Sequence, residues 1–407
     1  MRVVVNQLPT VGLKTGVGHY TVQLLRCLRQ QADPDQIGVY PCGWIALARK
    51  LWGRVNPCLV SEGAGPQADE PSLRSVRPSL RGRLLAWLRR RGHGLMDRHA
   101  RSVFFQGRYD LYHEPNFIPL RAELPTVATL HDLSVLLHPE WHPANRVAWY
   151  ERYFPDAQKQ CMHFLTVSEF TRQEVIRHLH LPPERVTRVY NGVRPDLAPL
   201  PADRVARVLR RLGLPAHYLL CVGTIEPRKN IPLLLRAYCA LPQALRERWP
   251  LVLAGAWGWN TTAVAEFFHT EARHRGVIHL GYVADRHLAA LYNGARALVY
   301  PSLYEGFGLP PLEMMACGGA VLASTADAVA ETAGGQAHLI HPGDLDGWRD
   351  GMRRVLTDDD WWQGLREGAV AAARPYTWER CAAETLRVYR TLCGQGSINQ
   401  KLTSRAA

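Results

Sequence analysis

The sequence predicts an α/β protein of two domains of comparable size, each a parallel sheet with helices on both faces. Three observations lead there. Short β-rich runs alternate with helical patterns along nearly the whole chain, and strands separated by helices build parallel sheets. The stretch from Asn191 to Arg204 breaks that rhythm with prolines, a glycine and little apolar periodicity, as an interdomain connection does. The 407 residues, 47% hydrophobic and 21% charged, have ordinary globular composition and can bury a sizeable core without staples.

In chain order the β-rich runs are RVVVNQL (2–8), YDLYH (109–113), PTVATL (125–130) and HFLTVS (163–168) before the connection. After it come YLLCVGT (218–224), PLVLAGA (250–256), VIHLGYV (277–283), ARALVYPS (295–302) and AVLAS (320–324). Residues 1–190 therefore form one domain, 191–204 the linker and 205–376 a second domain. Ser61 to Pro78, rich in Gly, Pro, Ser and Glu, reads as a surface loop. The pattern TWERCAAETLRVYRTLC (377–393) is an amphipathic helix, and SINQKLTSRAA after it a frayed tail.

No stretch approaches the ~20 uninterrupted apolar residues of a spanning helix, and the start MRVVVNQLPT lacks the charged and long apolar regions of a secretory signal. The cysteines at 27, 42, 58, 161, 221, 239, 317, 381 and 393 are odd in number and never spaced C-x-x-C. Reduced thiols in a cytoplasm are expected, without a disulfide framework or a structural zinc. A formal charge of +13 favours an anionic partner, which could be a nucleotide-linked substrate, nucleic acid or an anionic membrane surface.

Ligands of open parallel sheets bind beyond the carboxyl ends of the strands, so the residues after each strand matter most. The first strand leads into Gly12-Leu-Lys-Thr-Gly16-Val-Gly18 and the helical YTVQLLRCLRQ. Gly16 and Gly18 let a backbone approach an anion at a helix amino terminus, or simply make a tight turn. PTVATL ends at His131-Asp132-Leu133-Ser134; His131 can carry a proton or bind a hydroxyl, or stand beside an Asp132 that caps the next segment. YLLCVGT leads to Glu226-Pro-Arg228-Lys229-Asn230 and the helical IPLLLRAY. Cations at a helix amino terminus oppose its dipole, which an anion between Arg228 and Lys229 would resolve, unless the loop is only a solvated basic one.

The richest stretch runs from Val299 to Gly318, VYPSLYEGFGLPPLEMMACG. Pro310 and Pro311 suit the first turn of a helix, which puts Glu305 in the loop before it and Glu313 about one turn in. Two carboxylates then bracket a glycine-lined amino terminus able to hold a phosphate, which suits a ligand with a central diphosphate and a polyhydroxy ring at each end. Asp33-Pro-Asp35, Asp344-Leu-Asp346 and Asp358-Asp-Asp360 match a D-x-D metal pattern, but each sits in a turn or ahead of a helical pattern, where aspartate is an ordinary cap. No metal site and no cofactor is expected.

GTIEPRKNIPLLLRAY together with YPSLYEGFGLPPLEMMACG resembles the donor-site signature of retaining glycosyltransferases of family 4. GVGHYTVQLL, HDLS, VSEFTRQEV, YNGV and YTWERCAAETLRVYR extend the resemblance over almost the whole chain. It implies the GT-B fold, two facing Rossmann-like domains with parallel sheets and the active site in the cleft between them. Among family members the pattern looks most like bacterial mannosyltransferases of O-antigen and exopolysaccharide synthesis. By resemblance Glu305 contacts the donor sugar, Glu313 holds the ribose hydroxyls, and Arg228 and Lys229 neutralise the leaving diphosphate. Phe307, Gly308 and Leu309 offer backbone to sugar and phosphate, Gly16 and Gly18 form the amino-terminal glycine loop, and His131 lies near sugar and acceptor. The terminal helix crosses back onto the first domain. The chain departs from the usual A-C-G-T-P after Glu313, where it reads Ala316-Cys-Gly-Gly319-Ala.

The resemblance thus implies transfer of a hexose, mannose foremost, from a nucleotide-sugar such as GDP-mannose to a lipid-linked oligosaccharide or polysaccharide, with a UDP-sugar as the alternative donor. Expected are metal independence, retention by front-face attack in which the leaving phosphate takes the acceptor proton, and a sugar-positioning role for His131. From Arg74 to Arg101 run nine arginines and one acid, Asp97, with apolar residues interspersed. That segment could dock on an anionic membrane at the inner face of the cytoplasmic membrane or be a solvated face. A nucleic-acid-binding protein using the same arginines leaves Glu305 and Glu313 unexplained, so no nucleic acid is expected; a sugar-nucleotide epimerase of the same fold is a third reading.

Overall fold

The computed structural model describes residues 1–10, 16–33, 36–41 and 94–403, with side chains described as far as 394. The loop at 61–78, the start of the glycine segment at 11–15 and the part of the basic segment before residue 94 lie outside the described residues.

Two six-stranded sheets are present, and every strand pair is parallel. The first has the order β2-β1-β3-β4-β5-β6, built from β1 (Val3–Asn6), β2 (Ile37–Tyr40), β3 (Leu111–Glu114), β4 (Thr126–Leu130), β5 (Cys161–Thr166) and β6 (Val186–Arg188). The second has the order β12-β11-β10-β7-β8-β9, from β7 (Leu219–Val222), β8 (Leu251–Ala254), β9 (Val277–Gly281), β10 (Ala297–Tyr300), β11 (Ala320–Ser324) and β12 (His338–Ile340). β2, β6 and β12 were not among the expected runs. Gly16 and Gly18 are helical residues of helix Gly16–Gln31. Helix Ala202–Arg211 begins inside the segment read as a linker.

Strands covered on both faces need apolar side chains at every position, and the clusters show that arrangement. Val3, Val5, Leu111 and Val127 pack under Tyr20, Leu24 and Leu28 of helix Gly16–Gln31 and under Trp378, Leu386 and Tyr389 of helix Trp378–Thr403. On the other side of the same sheet, Ala128, Leu130 and Phe164 meet Phe154, Ala157 and Val175. In the second sheet Leu219, Leu251 and Val299 face Leu234, Tyr238 and Trp348, while Leu220, Val252 and Leu298 face Leu209, Tyr292 and Met315. No described helix is long and apolar enough to cross a membrane.

The chain passes between the two sheets twice, close together. Val193 pairs with Thr377 in a parallel bridge, and the Val193 N–H donates to the Tyr376 carbonyl at 2.9 Å. Gly192 lies so near that a Cβ on it would be 2.1 Å from the Trp378 nitrogen, so only glycine fits there. In each sheet the strand order reverses beside the first strand, between β1 and β3 and between β7 and β10. At such a reversal the connections part to opposite faces and leave a crevice at the carboxyl ends.

Candidate active site

The loops after β7 and β10 flank the crevice of the second sheet, and they bring Arg228, Lys229 and Glu305 together. Glu305 is 6% exposed. Its Oε2 accepts from Arg228 Nη1 at 2.7 Å, and its Oε1 accepts from Lys229 Nζ at 2.5 Å and from the Tyr300 hydroxyl at 2.6 Å. Lys229 also donates to Tyr300 at 2.8 Å, and Arg228 Nε donates to Glu226 at 2.7 Å. Burial alone would raise the Glu305 carboxyl, but the Lys229 and Arg228 charges with the Lys229 and Tyr300 hydrogen bonds outweigh it and hold it at about 2. Two cations and two carboxylates are thus fixed in one buried cluster. Of roughly four lone-pair sites on a carboxylate, Glu305 has three in use.

Asn230, left-handed at φ 54°, ends the turn carrying the cations, and its side chain donates to the carbonyls of Pro301 and Pro342 at 3.2 and 2.7 Å. Gly308, at φ 94°, opens helix Leu309–Ala316 with Pro310 and Pro311 in its first turn. Phe307 is buried against Val167 and Leu312, and its carbonyl accepts from Thr332 at 2.9 Å. Glu313 lies on that helix with Oε2 accepting from the Tyr292 hydroxyl at 2.7 Å, and burial raises its carboxyl above the usual range.

His131 follows β4 in the other domain, and its ring packs edge-on against Tyr20 with 4.7 Å between ring centroids. Its Nε2 lies 2.8 Å from the Pro115 carbonyl, which can only accept, so Nε2 carries the hydrogen and the neutral ring keeps Nδ1 as an acceptor. Burial lowers the ring's pKa, against smaller raising effects of the Pro115 bond and Asp132. Pro115 is held in turn by buried Glu114, which accepts from the Asn116 amide at 3.0 Å, Asn6 at 2.6 Å and Tyr112 at 2.7 Å. The Asp132 side chain accepts from the Ser134 amide at 2.8 Å.

The two domains touch across the cleft at several points. A Cβ on Gly306 would be 1.7 Å from the His131 carbonyl oxygen, and the Gly306 carbonyl accepts from Thr171 at 3.1 Å. Both oxygens of Glu331 accept at 2.8 Å from the amides of Glu169 and Phe170, at the start of helix Glu169–Leu179. Trp259 Nε1 donates to the Trp141 carbonyl at 2.7 Å, with Arg146 stacked 4.1 Å from the Trp259 ring. His19 Nε2, just after Gly18, sits 3.5 Å from Asp285. Tyr304 accepts from the Leu133 amide at 3.0 Å and donates to Glu174.

Burial raises the Glu174 carboxyl to about 7, against the Tyr304 hydrogen bond and Arg177, with Asp132 and Asp327 adding to the rise. A folded pKa above the unfolded one means that the protonated form stabilises the fold fully below about 4.5 and that this is lost as pH rises through about 7. Glu174→Gln keeps a neutral acceptor for Tyr304, so its Tm relative to wild type should rise by about 1–2 °C between pH 5 and pH 8, after discounting for solvent reaching the group. Parallel melting curves for the two proteins would refute the assignment.

Sequence reasoning did not single out Glu226, Tyr300, Tyr304, Glu114 or Arg194. Position just past a strand was a usable signal for Glu114 and Tyr304, whereas Glu226 and Tyr300 are recognisable only once β7 and β10 are neighbours. The D-x-D aspartates at 344 and 358 cap helices, accepting from the amides of Gly347 at 2.8 Å and Trp361 at 2.9 Å.

Residues 212–374 match the family model for glycosyl transferases group 1, and residues 14–197 that for glycosyltransferase family 4. The chain is 33% identical over 391 residues to O-antigen chain mannosyltransferase B of Escherichia coli, covering 93% of this chain and 96% of that protein. It is 32% identical over 293 residues to the E. coli serotype-specific mannosyltransferase WbdA, 69% of this chain but 35% of that longer protein. Among solved structures, Anabaena HepE in complex with UDP and glucose superposes with a TM-score of 0.66 at 18% identity, over 96% of this chain and 100% of that one. WaaG, a glycosyltransferase involved in lipopolysaccharide biosynthesis, gives 0.65 at 16% identity, over 95% and 99%.

Proposed function

Because the chain belongs to glycosyltransferase family 4 and has the GT-B fold, we propose that this glycosyltransferase moves mannose from GDP-mannose, with retention, onto a growing lipid-linked or polysaccharide acceptor. The observation that carries the reading is the buried cluster of Arg228, Lys229 and Glu305 at the carboxyl ends of β7 and β10. Departure of a nucleoside diphosphate builds negative charge on phosphate oxygens. Cations already fixed by Glu226, Glu305 and Tyr300 meet that charge without reorganising, and this kind of stabilisation lowers barriers most. Pro310 and Pro311 lack N–H groups, so Gly308 and Leu309 supply the amides that the helix amino terminus offers to phosphate.

Glu305 meets the sugar through the one acceptor site that Arg228, Lys229 and Tyr300 leave, and Glu313 holds the ribose. Phe307 acts in this reading through its packing, since its carbonyl serves Thr332. Gly16 and Gly18 bring the start of helix Gly16–Gln31 up to the donor. His131 accepts a sugar hydroxyl at Nδ1, and the departing phosphate takes the acceptor's proton on the same face of the sugar, which preserves configuration. No step calls for a metal. The support for mannose and for an O-antigen-type acceptor is the name of the 33% identical relative. A UDP-sugar donor is the second reading, favoured by the UDP bound in HepE. Work at the inner face of the cytoplasmic membrane, docked through Arg74 to Arg101, completes the proposal.

The test is transfer from GDP-mannose to a lipid-linked mannan acceptor, presented on anionic or neutral vesicles and with or without EDTA. Expected are one GDP released per residue added, an α-linked product, no effect of EDTA, and faster transfer on anionic vesicles. A β-linked product overturns retention, and loss in EDTA restored by Mg²⁺ overturns metal independence. Transfer from a UDP-hexose with GDP-mannose inert moves the donor to the second reading, and equal rates on both vesicles remove the membrane contact.

A further inference from the structure

Arg194 is a buried charge that the functional reading has not used. It follows the first crossing between the domains and is 7% exposed. Three carboxylates face its guanidinium, and none is close. Asp285 lies 3.4 Å from Nη1, while Asp196 and Glu313 lie 3.8 and 4.0 Å from Nε. Charge-assisted hydrogen bonds run about 2.7–2.9 Å, and Arg228 reaches 2.7 Å to both of its carboxylates in this same molecule. Nε and Nη2 of Arg194 are buried without a hydrogen-bond partner among the described residues, which native structures seldom leave unexplained.

The chemistry around these unpartnered donors narrows what they take. With Oε2 of Glu313 occupied by Tyr292, Oε1 turns toward Arg194. Arg194 offers N–H donors, and Glu313, 4.0 Å from its Nε, a carboxylate acceptor. Three carboxylates around one cation would repel a phosphate. A hydroxyl is the small neutral group that accepts from one side and donates to the other, and two 2.8 Å bonds from one oxygen span about 4 Å when they meet near a right angle.

We propose that Arg194 is the second arm of a ribose clamp: Glu313 accepts from, and Arg194 donates to, a ribose hydroxyl of the donor nucleotide. The proposal rests on the reading of Glu313 as the ribose-holding residue. Arg194 stands on the interdomain connection, and Asp285 beside it also meets His19 of the first domain. The nucleotide is therefore gripped by both the second domain and the chain that joins the two.

The test is titration calorimetry of the full chain with GDP and UDP, each also as the 2′,3′-dideoxy form, on wild type, Arg194→Met and Glu313→Gln. Wild type should bind the ribose form at least tenfold tighter than the dideoxy form, the effect of losing a hydrogen bond to a charged group. Arg194→Met should weaken the ribose form about tenfold and leave the dideoxy form unchanged. Equal weakening of both forms, or of neither, overturns the proposal, since a merely structural arginine would not tell them apart. If Arg194→Met fails to fold, Arg194→Lys keeps the charge without the fork and should lose the same discrimination. Loss of discrimination in Glu313→Gln but not in the Arg194 variant removes Arg194 alone, and the reverse removes Glu313 as ribose holder. A wild type that does not discriminate, or binds neither nucleotide, removes both.

Discussion

Glu305→Gln should reduce kcat/KM by about a thousandfold, the upper range for removing a preorganised electrostatic group, and destabilise the enzyme by about 3 kcal/mol. Both effects have one origin. The Glu305 carboxylate takes three donors from Lys229, Arg228 and Tyr300. A glutamine offers one oxygen and one amide nitrogen, and that nitrogen would point a fourth donor at a cation. Removing one partner of a buried ion pair costs far more than the pair contributes, because the remaining charge stays buried. The wild-type carboxyl sits at about 2, below its ordinary 4.5, so its stabilisation is present above 4.5 and is lost only as pH falls through about 2. Nucleoside diphosphate added in excess should recover more Tm in the variant than in wild type, since phosphate oxygens can replace the missing carboxylate. Wild-type melting and turnover in Glu305→Gln would show that Arg228 and Lys229 are held by something else.

Gly306→Ala should divide binding from turnover. A methyl group there would lie 1.7 Å from the His131 carbonyl oxygen and 3.0 Å from the Asp132 Cβ, and both neighbours belong to the opposite domain and cannot swing aside as a flexible side-chain tip would. The cleft must then stay open by an ångström or more. Misplacement on that scale costs about a hundredfold in rate. Arg228, Lys229, Glu305 and Glu313 all lie on one side of the cleft, so nucleotide Kd should stay within about twofold of wild type. A hundredfold loss in kcat with Kd preserved is the expected pattern, read by single-turnover kinetics and calorimetry; unchanged kcat would mean that the chemistry does not need the closed cleft.

The parts of this molecule that were legible in sequence are those whose reason is local. LLCV and LVLA read as strands because unbroken apolar runs of that length fit little else. The three-residue strands VTR and HLI and the half-buried IGVY carry too few residues to show a period. Gly16, Val17 and Gly18 are poor helix formers, so their helical conformation is set by tertiary context. In the site, Arg228, Lys229 and Glu305 stood out as charged residues just past strands. Glu226 and Tyr300 did not, because a glutamate before proline and a tyrosine ending a strand are ordinary until β7 and β10 lie side by side. Arg194 was hidden in a proline-rich connection, where charge is expected to be solvated.

The double crossing of the chain at Gly192–Val193 and Tyr376–Trp378 has a mechanical meaning. Two passages fastened at one spot would act as a hinge, favouring rotation over sliding. Displacement grows with distance from a pivot, so Phe307, packed between Tyr190 and Tyr376, would move little in such a rotation. The contacts of Trp259 with Trp141 and Arg146 join the two domains directly and would have to break in such a rotation. The strength of those contacts would then set how readily the cleft opens.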